Sequence, residues 1–188
     1  MSPKAGSIAH MFELLSSVDD TADEAQLIEA ISQLERVKAA ATARQARLTA
    51  AFDAARRSAE ASRGVPAERR GRGIGSEVAL ARRGSPARGG RHVGFAKALG
   101  HEMPYTLAAL EAGALDEWRA TIVVRESACL DVDDRGRLDA ELCSDMAALE
   151  GLGNRMLAAA AKSIAYRLDP HAVVDRAAKA SADRTVTI

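Results

Sequence analysis

Seven arginines are packed into one stretch of the sequence: Arg69, Arg70, Arg72, Arg82, Arg83, Arg88 and Arg91. A guanidinium offers a rigid fork of N–H donors that matches phosphate oxygens, so a set of this kind can clamp a nucleic-acid backbone. Formal net charge is zero, yet the charge is unevenly spread: residues 54–100 hold 11 basic and 3 acidic groups, against 5 and 8 in residues 1–53 and 10 and 15 in residues 101–188. Such asymmetry speaks to partners, not to fold. The competing reading is a solvated arginine surface paired in part with its acidic flanks. Arginine outnumbers lysine 21 to 5, which fits a GC-rich genome as readily as a binding role. No aromatic residues interleave the arginines, so base stacking on a single strand is not expected.

Other chemistry is harder to assemble. The four histidines, His10, His92, His101 and His171, are far apart in sequence, and none has the i, i+4 spacing of a helical metal site. His101-Glu102 is an adjacent acid/base pair that reads as solvated loop. Asp131, Asp133 and Gly136 match three positions of a calcium loop, but Arg135 and Leu142 occupy ligand positions, so those aspartates read as helix caps. Cys129 and Cys143 read as free buried thiols. The run GRGIGS lacks a preceding strand and spells no phosphate-loop motif. No catalytic, metal or cofactor residue is therefore assigned, no small-molecule substrate is expected, and enzyme status stays open.

The elements that would position the arginines are helices. Hydrophobic residues make up 47% of the chain but aromatics only 3%, the apolar share being dominated by alanine, the best helix former. The expected fold is all-α: about seven helices, a long first helix and a short β-like tail at Thr185–Ile188. Thr21 and Glu24 form a capping-box pattern that opens the long helix over 21–61. Its apolar stripe, Leu27, Ile31, Leu34, Ala41, Leu48, Phe52, Ala55 and Ala59, follows a 4-3-4-3 seam with Lys38 and Gln45 between. That seam either packs on later helices of its own chain or joins a second copy. Residues 62–75, with four glycines and a proline, break the chain. Ser76-Glu77 and Ser85-Pro86 then open two helices, the second weakened by Gly89, Gly90 and Gly94. Further on, Pro104, Gly113 and Asp116 frame two helices and a tight turn, an αα-hairpin or a DNA-reading helix-turn-helix, with Trp118 expected to be buried. Leu138, Leu142, Met146 and Leu149 make one helical face, and Leu157, Ala160, Ile164 and Leu168 another.

The run EMPYTLAALEAGALDEWRATIVVRESACL, with AYRLDPHAVVDRAAKASADRTVTI downstream, SEVALARRGSP upstream and GLGNRMLAAAAK between, resembles the actinobacterial family of domain of unknown function 222, or 13E12 repeat family. The resemblance covers about residues 25–188. It implies a mostly helical amino-terminal region of the kind that, in many members, precedes a His-Asn-His (HNH) endonuclease module. The expected organisation is an extension over 1–20, a helical domain over 21–184, and the start of a further segment at 185–188. The expected role is that of a non-catalytic accessory region binding DNA backbone or a partner chain; the alternative is a module that dimerises through the helix over 21–61. No transmembrane run or secretion signal is present, so a cytoplasmic location is expected.

Overall fold

Alanine at every third or fourth position lets a helix lie close to its neighbours, and the structure is built almost wholly that way. The computed structural model describes residues 15–17 and 21–175, and these divide between two compact units, residues 1–34 and 35–188. Among the described residues there are eight bounded α-helices, one 3₁₀ turn and no strand, so the class is all-α. The β-like tail at 185–188 and most of the 1–20 extension lie outside the described residues.

The longest helix, α1 (Glu24–Ser62), begins in the first unit. Its reciprocal capping box is formed by Asp23 and Gln26, two residues on from the expected Thr21/Glu24 pair: Gln26 N donates to Asp23 Oδ1 at 2.9 Å and Asp23 N to Gln26 Oε1 at 2.8 Å. Within that unit Leu27, Ile28, Ile31 and Leu34 are exposed.

In the second unit, α1 presents Ala39, Thr42, Ala43, Ala46, Thr49 and Asp53 to the core. The expected stripe through Ala41, Leu48, Phe52, Ala55 and Ala59 does not pack there; every one of these residues is exposed. The inward face is made of small and short polar residues, and the bulkier seam lies outside.

A 3₁₀ turn (Ala67–Arg69) leads to α2 (Ile74–Ala81) and α3 (Pro86–His101). The first helical residue of α2 is Ile74, after Gly73 in the left-handed region, so Ser76 and Glu77 lie inside the helix and do not cap it. The two helices cross where glycines meet. A Cβ on Gly89 would sit 1.8 Å from the Gly75 carbonyl oxygen. Gly89 is thus required by packing, and its low helix propensity is offset there.

The hairpin read from the sequence is present as α4 (Pro104–Ala112) and α5 (Glu117–Glu126). Gly113 has φ 77° in the connecting turn, and the Asp116 side chain caps α5 by accepting from Arg119 N at 2.7 Å. Trp118, however, is 55% exposed, contrary to expectation; the buried face of α5 is Ala120, Ile122 and Val123. The expected helix through Leu138 and Leu149 is split into α6 (Val132–Cys143) and α7 (Met146–Leu149), because the Asp145 carboxylate accepts from the N–H groups of Ala147 and Ala148 and starts a new turn. The last bounded helix is α8 (Asn154–Leu168), capped at Gly153, not Asn154, and helical backbone resumes over 170–175. Leu99, Met103, Leu110, Val123, Leu138 and Leu157 form the centre of the core.

Two neighbouring glycines make a sharp test. Gly89→Ala should cost about 3 kcal/mol, because its methyl would overlap backbone that cannot move aside. Gly90→Ala, which would meet nothing within 4 Å, should gain about 0.5–1 kcal/mol from helix propensity. Urea denaturation midpoints of the two variants measure the difference.

Candidate functional site

The seven arginines fall into two groups. Arg69, Arg70 and Arg72 lie in the segment that follows the end of α1. Their backbone is held by that helix: Arg57 donates to the Arg70 carbonyl at 3.0 Å, and Gly71 N donates to Glu60 Oε2 at 2.6 Å. Arg70 is itself occupied, its Nε donating to the Val65 carbonyl at 2.7 Å. Arg69 and Arg72 are exposed.

The second group sits on the turn between α2 and α3. Arg82 ends α2 and donates to Glu117 on α5 at 2.9 Å. Arg83 follows with φ 53°, a left-handed conformation that a residue with a Cβ adopts at some cost. Arg88 and Arg91 are exposed on the opening turns of α3. Beside them is His92, which follows Arg91 and lies four residues after Arg88 on the same helix but was not counted with the arginines. Burial first, and then the positive charge of Arg82, push the imidazole below its ordinary value of 6.5; Glu117 opposes this, while Arg88 and Arg91 add to it. The structure therefore gathers Arg82, Arg88, Arg91 and His92, with Arg83 adjacent in sequence. Helical spacing puts Arg88, Arg91 and His92 on one face of α3, and the fold adds Arg82 from the end of α2.

α3 is anchored to α1 by an ion pair on a buried carboxylate. Asp53, 5% exposed, accepts from Arg57 Nε and lies 2.9 Å from Lys97 Nζ on α3. Burial raises the Asp53 carboxyl, but hydrogen bonds from Lys97 and Arg57, and their charge, outweigh it and hold the group below 3.8.

Other polar residues serve architecture. Asp139, fully buried on α6, accepts from Tyr105 N at 2.7 Å, Thr106 N at 2.8 Å and Thr106 Oγ1 at 2.5 Å, and so caps α4 from a distant helix. Its desolvation raises the carboxyl above 3.8 despite those bonds. Cys143 is beside it, with Sγ 3.4 Å from Thr106 Oγ1, and burial pushes its thiol up to about 11, far from the thiolate that reactivity requires. Cys129 is only half-buried, less than the sequence suggested. Arg119 reaches three carbonyls, Ala114, Leu149 and Leu152. Arg135 holds Glu102, Ser127 and the Val124 carbonyl. His101 is the exposed last residue of α3, and its neighbour Glu102 is paired to Arg135, so the two make no acid/base couple. Among the described residues no three His, Cys, Asp or Glu side chains converge as a metal site, and no helix is long and apolar enough to cross a membrane.

An all-helical domain with a basic turn between two glycine-crossed helices is the class that fold and site define. The family model of the domain of unknown function DUF222 matches residues 29–188, and the chain belongs to that family. No curated protein and no solved structure matches the chain.

Lys97→Met should cost about 1–3 kcal/mol at pH 7, since it strips one partner from a buried carboxylate that keeps Arg57. The carboxyl's folded value is depressed, so its stabilising share is complete above the unfolded value and lost as pH falls through the lower folded one. The gap between wild type and Lys97→Met, followed by urea titration at several pH values, should therefore close toward strong acid.

Proposed function

We propose that this chain is a non-catalytic helical region of an HNH-endonuclease-type protein, and that it holds DNA by its phosphate backbone at the turn between α2 and α3. The observation that supports this reading is the concentration of Arg82, Arg83, Arg88 and Arg91 on one turn, where Arg83, Arg88 and Arg91 are exposed and only Arg82 is committed to a carboxylate. Arginine tolerated at a left-handed position, where glycine would be more stable, agrees with a demand for charge at the turn. Phosphate contacts of this type carry no sequence information, so the binding is non-specific. Holding a duplex does not hydrolyse it, and catalysis would have to come from elsewhere.

Two measurements follow from this. With Arg83, Arg88 and Arg91 on phosphate, log K for a labelled duplex should fall against log salt with a slope of about −2.7, and Arg88→Ala with Arg91→Ala should flatten it by about 1.8. Both residues are exposed, so the fold should be untouched. Salt-independent binding, or an unchanged slope in the double variant, would sink the reading.

His92 supplies the second. Its imidazole is neutral at pH 7 and gains a proton as pH falls through its lowered value, adding a cation to the cluster. Affinity for DNA should therefore rise as pH drops below 6.5, and His92→Ala should lose most of that rise. Bound phosphate should in turn raise the His92 titration midpoint, readable from its ring proton shifts.

A further inference from the structure

Within the second unit, α1 has two distinct faces. One is the buried row from Ala39 to Asp53. About 120° away, at about 100° per residue, lies a second row of Lys38, Ala41, Gln45, Leu48, Phe52 and Ala55. All six are exposed, Leu48 by 60% and Phe52 by 36%. Their spacing is that of a coiled-coil seam. Between this row and α2 runs a groove of about 390 Å³, floored by Leu48, Phe52, Val78 and Ala81. Arg56 stands at its edge, bonded by both guanidinium arms to Glu77 and lying 5.2 Å from the Phe52 ring.

We propose that this row pairs with the same row of a second copy of the chain, with the two α1 helices antiparallel and Gln45 of each facing Leu48 of the other. The direction follows from charge. A parallel, in-register pair would set Lys38 against Lys38 and Gln45 against Gln45 inside the seam, which costs stability. The antiparallel pair sets Lys38 against the second copy's Ala55, where the lysine stem can lie along the methyl and its ammonium reach water.

Size and rim charge fix the register. With Gln45 opposite Leu48, each Ala41 faces a Phe52 and leaves room for its ring. Glu35, which otherwise holds only its neighbour Lys38, comes beside the second copy's Arg56. Sliding one heptad one way brings Arg44 against Arg44. Sliding one heptad the other way carries Glu35 opposite residue 63, past the end of α1 at Ser62. Rim pairs of this sort choose register and add little affinity. The groove beside α2 gives the incoming helix a second wall, so each copy contributes two helices to the contact.

Sedimentation velocity on the full chain over a concentration series should show a dimer that persists in high salt, because its core is apolar. Leu48→Glu with Phe52→Glu should weaken self-association by at least about a hundredfold, while circular dichroism stays as in wild type and the melting temperature matches that of wild type diluted to monomer, both positions being exposed within the chain. A monomer at every soluble concentration would overturn the proposal. So would a melting temperature of the double variant below that of the dissociated wild-type monomer, since that would mean another part of the same chain covers the row. Register is tested in a Cys129→Ser background. A short bis-maleimide should join Glu35→Cys chains to Arg56→Cys chains and leave Lys38→Cys chains unlinked to one another. Self-linking through Lys38→Cys would show a parallel pair and overturn the antiparallel assignment.

Discussion

Scarcity of large apolar side chains is the constraint from which the rest of this structure follows. With aromatics at 3% of the sequence, burial cannot rely on bulky rings filling the space between helices. The helices of the second unit must instead come close, and close approach needs small residues at the contact. Gly75 with Gly89 does this between α2 and α3, where the backbones nearly touch. On α1 the buried row likewise carries the small residues Ala39, Ala43 and Ala46, while Leu48 and Phe52 lie outside.

Where apolar bulk is thin, buried polar anchors take over part of the positioning. Asp139 caps a helix that lies 33 residues away in sequence from it, Arg119 gathers the carbonyls of two turns, and Asp53 ties α1 to α3. Each makes several directional bonds, though the buried Nε of Arg119 is left without a partner, and each would be costly to leave half-made. These anchors also account for the direction of the shifted titrations: Asp53 has cationic partners and is depressed, while Asp139 has only neutral donors and is raised by desolvation. None of them is presented to solvent as reactive groups would be.

Two surfaces are then left for partners, and they are chemically unlike. The α2–α3 turn is cationic and strained at Arg83, suited to a diffuse anionic partner that is held by charge. The outer row of α1 is apolar and periodic, suited to another helix of matching spacing. The two contacts would respond oppositely to salt, one weakening and one holding, so each can be followed without the other.

Much of the local structure was legible from residue type alone. Alanine content gave the all-α class; Pro104, Gly113 and Asp116 gave the central hairpin; Ser85-Pro86 gave the start of α3. Each of these acts within a few residues, which is why sequence sufficed. The seven arginines were visible too, but not their partition into one group held beside α1 and another gathered on a turn, because that depends on where α2 crosses α3. The Asp53–Lys97 pair and the remote cap by Asp139 were invisible for the same reason, since each joins residues far apart in the chain. The heptad row on α1 is the clearest case. Its periodicity was plain in the sequence, but periodicity says only that residues share a face. Which face turns inward depends on the surface that the other helices present to it, and that belongs to the tertiary structure.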